Sequence, residues 1–212
     1  GVDYLGHIVE NRVITAALMS AVREQRVEIL DGCAVASIVL PTAGQSEQAA
    51  GGAQVTLDNG STLTASLVVA ADGAHSPCRQ MLGMPVRAWD YQQDAIVCTV
   101  AVSQPHQHTA WQTFTGTGPL AYLPLMTGPQ SSGDACSHYC SIVWSQTRER
   151  AQRLLALPEA EFCQQLASAL EFRLGDIVAV SQRRSFPLQQ QHAIDYALEG
   201  FALIADAAHT IH

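Results

Sequence analysis

Apolar positions along the chain change period several times, and each change marks an element. Val13, Ile14, Ala17, Leu18, Ala21 and Val22 recur on one face, which predicts a helix over residues 11–25 with Asn11 as its cap. Residues 27–30 and 33–40 are short strand-like runs, and residues 41–53 are a polar, glycine-rich loop. Two alternating runs flank Asp58-Asn59-Gly60, a hairpin signal. Residues 67–71, LVVAA, form an unbroken apolar run, as expected of a strand covered on both faces, and residues 76–82 suit a short helix. After Pro85 the character shifts. Residues 95–147 alternate in short strand runs separated by turns, which predicts an antiparallel sheet. Residues 158–173 have helical period, with Pro158 in the first turn and Phe162, Leu166, Ala169 and Leu170 inward. VAVSQRRSFPL is one further strand, and FALIADAAH repeats the earlier theme of an apolar strand ending in aspartate. The pattern defines a mixed α/β chain. An α/β portion is interrupted by an inserted antiparallel sheet and then resumed, with boundaries at 1–85, 86–188 and 189–212.

Composition narrows the partners. Over 212 residues the formal charge is −8, so a nucleic acid or an anionic membrane surface would repel the chain. Hydrophobic residues make up 48% and charged residues 14%, the balance of a chain that builds a core. The chain opens GVDYLGH without a methionine and closes on an apolar strand-like run, which predicts a piece of a longer protein. Six cysteines lie mostly inside apolar runs without framework spacing and read as reduced, buried thiols of a cytoplasmic protein. Cys136, His138 and Cys140 would share one face of a strand, but no fourth ligand accompanies them, so no metal site is expected.

Two segments invite a ligand reading. Gly116-Thr117-Gly118-Pro119-Leu120-Ala121 fits G-x-G-x-x-A, but a dinucleotide loop needs a helix after it, and PLAYLPL has no helical period. A turn between strands is the better account. The second segment is LVVAADGAHSPCR. A carboxylate at the C-terminal end of a parallel strand lies where α/β folds bind ligands. Gly73 permits a turn and close approach, and Arg79 could offset phosphate charge or lock the aspartate loop.

Ala71-Asp72-Gly73-x-x-Ser76-x-x-Arg79 resembles the Asp-Gly motif of the FAD-dependent aromatic hydroxylases, the para-hydroxybenzoate hydroxylase-like family. The closing ALIADAAHTIH resembles that family's second flavin motif, with Asp206 in the place of the aspartate that meets the ribityl or ribose portion. LGHIVENRVI, WDYQQDAIV, GPLAYLPL, SIVWS and FPL resemble the ubiquinone-biosynthesis branch, the polyprenylphenol hydroxylases. One departure is Ala205, where the family carries glycine.

The resemblance implies a partial FAD-binding Rossmann-like domain with an inserted substrate sheet, lacking the family's N-terminal glycine-rich βαβ unit and the segment after His212. It places Asp72, Gly73, Arg79, Asp206, Ala207 and Asn11 at the cofactor. It implies NAD(P)H as co-substrate, O2, and a polyprenylphenol whose ring is hydroxylated. Trp111, Phe114, Tyr122, Leu123 and Trp144 are candidates for the prenyl-phenol wall and equally candidates for the core. No residue is identified as a catalytic base; His209 lies beside the expected flavin. The chain by itself is expected to bind FAD weakly, to be inactive, and to expose apolar surface suited to dimerisation, while the parent enzyme would be peripheral to the inner membrane or a biosynthetic complex. The alternatives are a non-hydroxylating flavoprotein of this fold, such as a prenyl reductase or halogenase, and a lipid-binding or assembly module. The halogenase version is disfavoured because the chain contains no lysine.

Overall fold

The computed structural model describes residues 6–41, 52–125 and 138–210. In chain order the elements are α1 (Asn11–Glu24), β1 (Val35–Val39), β2 (Ala53–Leu57), β3 (Thr62–Ala65), β4 (Val68–Ala70), α2 (Pro77–Met81), β5 (Val86–Val102), β6 (Trp111–Thr115) and β7 (Gly118–Leu125). Then come β8 (Tyr139–Thr147), α3 (Arg148–Ala156), α4 (Glu159–Ala169), β9 (Ile177–Val180), β10 (Arg184–Ala193), β11 (Ala197–Leu198), β12 (Phe201–Leu203), α5 (Ala205–Ala208) and β13 (His209–Thr210). They group into two compact units, Gly1–Val27 with Gln92–Leu188 and Glu28–Tyr91 with Gln189–His212.

The sheet unit is built on β5, β8, β7 and β6, antiparallel and adjacent in that order, with β9 beside the end of β5. Cross-strand partners share a face, so the register sorts the side chains. Ile96, Cys98, Val100, Leu120, Tyr122, Ile142 and Trp144 form one buried cluster with Ala151 and Leu154 of α3 and Phe162 and Leu166 of α4. Trp144 meets Phe162 edge to face, with ring centroids 6.2 Å apart. Tyr122 Oη donates to the Leu166 carbonyl at 3.0 Å, and burial pushes this phenol far above its usual range. Arg183 binds the C-terminal end of α3, donating to the carbonyl of Leu157 at 3.0 Å, and its guanidinium lies 4.8 Å from the Phe162 ring centre. The opposite face of the same strands carries Val97, Thr99, Ala121, Leu123, Ser141 and Val143, all half-buried.

In this unit α1 is helical as its period predicts, but Glu10, and not Asn11, is the N-cap; Asn11 is the first helical residue. None of its residues is buried, and Val13, Ile14 and Leu18 are exposed. Residues 27–30 are not a strand. The predicted helix over 158–173 ends at Ala169, and α3 precedes it.

The other unit holds β1-β2-β3 as an antiparallel meander. Its β2–β3 hairpin turns at Asp58–Gly60 as predicted, with Gly60 at φ +85° and Asn59 Oδ1 accepting from the Ser61 amide at 2.9 Å. A second small sheet runs β11-β12-β4. Phe201, Leu203, Ala70, Ala207 and Ala208 are buried there with Ile38, Val55 and Leu57 of the meander. The segment 116–121 is a hairpin end, where Thr115 pairs with Gly118.

Candidate functional site

Two strands far apart in sequence make the site. β12 pairs with β4 in parallel, placing Phe201 opposite Val68, Ala202 opposite Val69 and Leu203 opposite Ala70. The ladder continues one step, with the Ile204 amide donating to the Ala70 carbonyl at 3.0 Å. Both chains leave their strands at the same end, so Asp72 and Asp206 emerge at neighbouring C-terminal tips. This is the place where ligands bind α/β sheets.

The Asp72 side is preorganised by its own loop. Gly73 sits at φ +87°, a left-handed conformation a side chain would oppose, and the space where a Cβ would stand is open. Ser76 caps α2, its hydroxyl accepting from the Arg79 amide at 3.0 Å. Asp72 Oδ2 accepts from the Cys78 amide at 3.0 Å. Burial alone would raise the Asp72 pKa, but hydrogen bonds from Ser76 and Cys78 together outweigh it and hold the carboxyl below its usual value. The Cys78 thiol is pushed up to about 11, by burial first and then by its hydrogen bond to Asp72 and the charge there. This thiol is therefore inert at neutral pH.

Arg79 joins the two tips. Its side chain is buried, Nη1 donates to the Ala207 carbonyl at 2.7 Å, and Nη2 donates to the Ala74 carbonyl at 2.7 Å. Of the two roles open in the sequence, phosphate partner or lock, the geometry provides the lock. Asp206 is exposed and has no hydrogen-bond partner among the described residues. Ala205 before it lies at φ +49°, a backbone conformation suited to glycine. His209 is exposed, and its ring stacks on Tyr196 at 6.0 Å.

Asn11 belongs to the other unit and is exposed at the start of α1. Of the five residues considered for the substrate wall, Tyr122 and Trp144 lie in the helix-covered core and Trp111 packs against it. Phe114 and Leu123 are on the opposite face, Phe114 81% exposed and Leu123 half-buried. Cys136 lies outside the described residues; Cys140, its neighbour in that stretch, is fully buried. Gln191 carried no signal in the sequence, yet its Nε2 donates to the Ala74 carbonyl at 2.8 Å.

The residues suit an FAD. At the two adjacent strand tips the Asp72 carboxylate is already held by its loop, the Asp206 carboxylate is exposed, and the space beside Gly73 is open. That set is suited to accept from ribose or ribityl hydroxyls. The chain belongs to the FAD binding domain family, whose profile matches residues 7–212. Its relatives include the 3-demethoxyubiquinol 3-hydroxylase of Escherichia coli, 33% identical over 98% of this chain and 49% of that protein. The Rhodospirillum rubrum ubiquinone hydroxylase UbiL is 34% identical over 98% of this chain and 44% of its own length. The human ubiquinone biosynthesis monooxygenase COQ6 is 30% identical over 99% of this chain and 50% of that protein. The chain thus spans about half the length of the curated relatives it matches. The fold is that of PqsL, a probable FAD-dependent monooxygenase from Pseudomonas aeruginosa (TM-score 0.68, 22% identity, 94% of this chain and 52% of that one). It is also that of the flavin-dependent halogenase CmlS (TM-score 0.69, 16% identity, 95% of this chain and 35% of that one).

Proposed function

We propose that this chain is part of an FAD-dependent monooxygenase that uses NAD(P)H and O2 to hydroxylate the ring of a polyprenylphenol in ubiquinone biosynthesis. The observation that carries this reading is the parallel pairing of β4 with β12, which brings Asp72 and Asp206 to neighbouring tips under one Arg79 lock. The names of the relatives support the substrate class.

FAD, when bound, would pass two electrons from NAD(P)H to O2, so that one oxygen atom of O2 could enter the ring and the other leave as water. The residues of this chain bind and orient it. Asp72 and Asp206 accept from its hydroxyls, bonds to charged acceptors worth about 1.5–3 kcal/mol each. Gly73 lets the flavin approach the backbone. Arg79 spends its donors on Ala74 and Ala207 and keeps the two loops in register. The sheet face opposite the α3–α4 layer carries the apolar Val97, Ala121, Leu123 and Val143 beside the hydroxyls of Thr99 and Ser141, a mixed surface that suits a prenylated phenol. Among the described residues no helix is long and apolar enough to cross a membrane.

The test is turnover by the full-length protein with FAD, NADPH, a polyprenylphenol and isotopically labelled O2. The expected product carries one labelled oxygen on its ring. A product with no labelled oxygen and a reduced double bond in its prenyl tail would instead favour a reductase.

A further inference from the structure

Gln191 lies on β10 opposite Thr210 of β13. Its two neighbours on β10 turn to other partners: Gln190 accepts from Tyr91 Oη at 2.8 Å, and the His192 ring lies 5.4 Å from Trp89. Alternation along the strand sends Gln191 to the other face, with buried Ala193. There its Nε2 donates to the Ala74 carbonyl. That carbonyl also accepts from Arg79, so both of its lone pairs are engaged. The hydroxyl of Thr210, directly across the strand pair, is buried without a partner. Cross-strand neighbours are close enough for an amide to satisfy such a hydroxyl. Gln191 instead spends its donor on the loop that follows Gly73.

We propose that Gln191 is a positioning residue for the flavin, an inference that rests on the FAD reading above. Its amide fixes the peptide after Ala74, and with it the left-handed turn at Gly73 and the direction of the Asp72 carboxylate. Arg79 ties that loop to Ala207, within the second motif; Gln191 ties it to the strand paired with His209 and Thr210. The two donors restrain the same carbonyl from different elements, so the loop cannot shift without breaking one of them. Gln191 touches no reacting atom, and its effect passes through Asp72.

The experiment uses the full-length protein with three variants of similar side-chain length. Gln191→Met keeps length and removes the donor, Gln191→Glu replaces the donor by an acceptor, and Gln191→Lys restores a donor. Two quantities are read: hydrogen exchange at the Ser76 and Cys78 amides without flavin, and the FAD dissociation constant from flavin fluorescence. Loss of the donor is expected to speed that exchange about fivefold and to raise the FAD dissociation constant about tenfold, the effect of one hydrogen bond. Lysine is expected to return both to near the parent values. Unchanged exchange in the Met and Glu variants, or a Lys variant no better than Met, overturns the proposal. If the parent takes up no FAD, the FAD reading fails instead, while the exchange arm still decides whether Gln191 holds the loop.

Discussion

Arg79 and Ala207 stand 128 positions apart in the chain, and the Arg79 guanidinium donates to the Ala207 carbonyl across 2.7 Å. The cation is buried, and its guanidinium donates to two backbone carbonyls, those of Ala207 and Ala74. A buried guanidinium is costly unless its donors are used, so this one ties its two loops together strongly. Replacing Arg79 with methionine should destabilise the protein by about 3 kcal/mol or more, since two charge-assisted bonds are lost and the Ala207 carbonyl loses its side-chain donor, while Gln191 still donates to Ala74. Arg79→Lys should recover part of this, because an ammonium lacks the fork that spans both carbonyls. Urea unfolding of the two variants measures the difference.

Ala205 predicts a gain of stability. Its φ of +49° lies in the left-handed region, where a Cβ costs about 1–2 kcal/mol. Glycine removes that strain and returns part of the gain as unfolded-state entropy, about 0.4–1 kcal/mol. Ala205→Gly should therefore raise the melting temperature modestly and leave the Asp206 tip in place. A lower melting temperature would mean the strain is not expressed.

Asp72 predicts a pH dependence. Its folded pKa is held below the usual aspartate value, because the bonds from Ser76 and Cys78 exceed the effect of burial. A depressed folded pKa stabilises the protein at pH values above the unfolded pKa of about 3.9, and that stability is lost as pH falls through the folded value. Asp72→Asn should thus cost stability at neutral pH and show a shallower loss between about pH 4 and 2 than the parent. Parallel acid-unfolding profiles for the two proteins would show that the carboxylate is not held in this way.

The two faces of the inserted sheet predict opposite outcomes. Trp144→Ala, in the helix-covered core, should cost about 3–5 kcal/mol. Tyr122→Phe should cost about 1 kcal/mol through the lost bond to Leu166. Phe114→Ala, at a residue 81% exposed, should change stability by less than about 0.5 kcal/mol. If Leu123 faces substrate, Leu123→Ala in the full-length enzyme should raise KM for the polyprenylphenol more than it lowers stability.

Much of the site can be read from local pattern. An apolar run that stops at Asp72-Gly73 and another that stops at Asp206 both announce strand tips, and Ser76 before Pro77 announces a capped turn. Pairing between the tips depends on tertiary register, which only the resemblance could suggest. α3 escapes pattern reading because only Ala151 and Leu154 of its nine residues are buried, too thin an apolar stripe to show a period. β10 runs on through Gln189, Gln190 and Gln191, polar residues whose places are set by Tyr91 and Ala74 and not by alternation with apolar ones. The strand runs that contain Tyr122 and Leu123 look equally apolar on both faces, so the core residue and the bare-face residue separate only once the partners on β6 and β8 are known.

Hydrogen exchange on the full-length protein, with and without FAD, tests the shared grip of the two aspartates most directly. Flavin should slow exchange at residues 72–78 and at residues 205–210 together, and Asp206→Asn should weaken protection in both segments. Protection confined to one segment, or an Asp206→Asn variant that binds FAD as the parent does, would contradict a single site at the β4 and β12 tips.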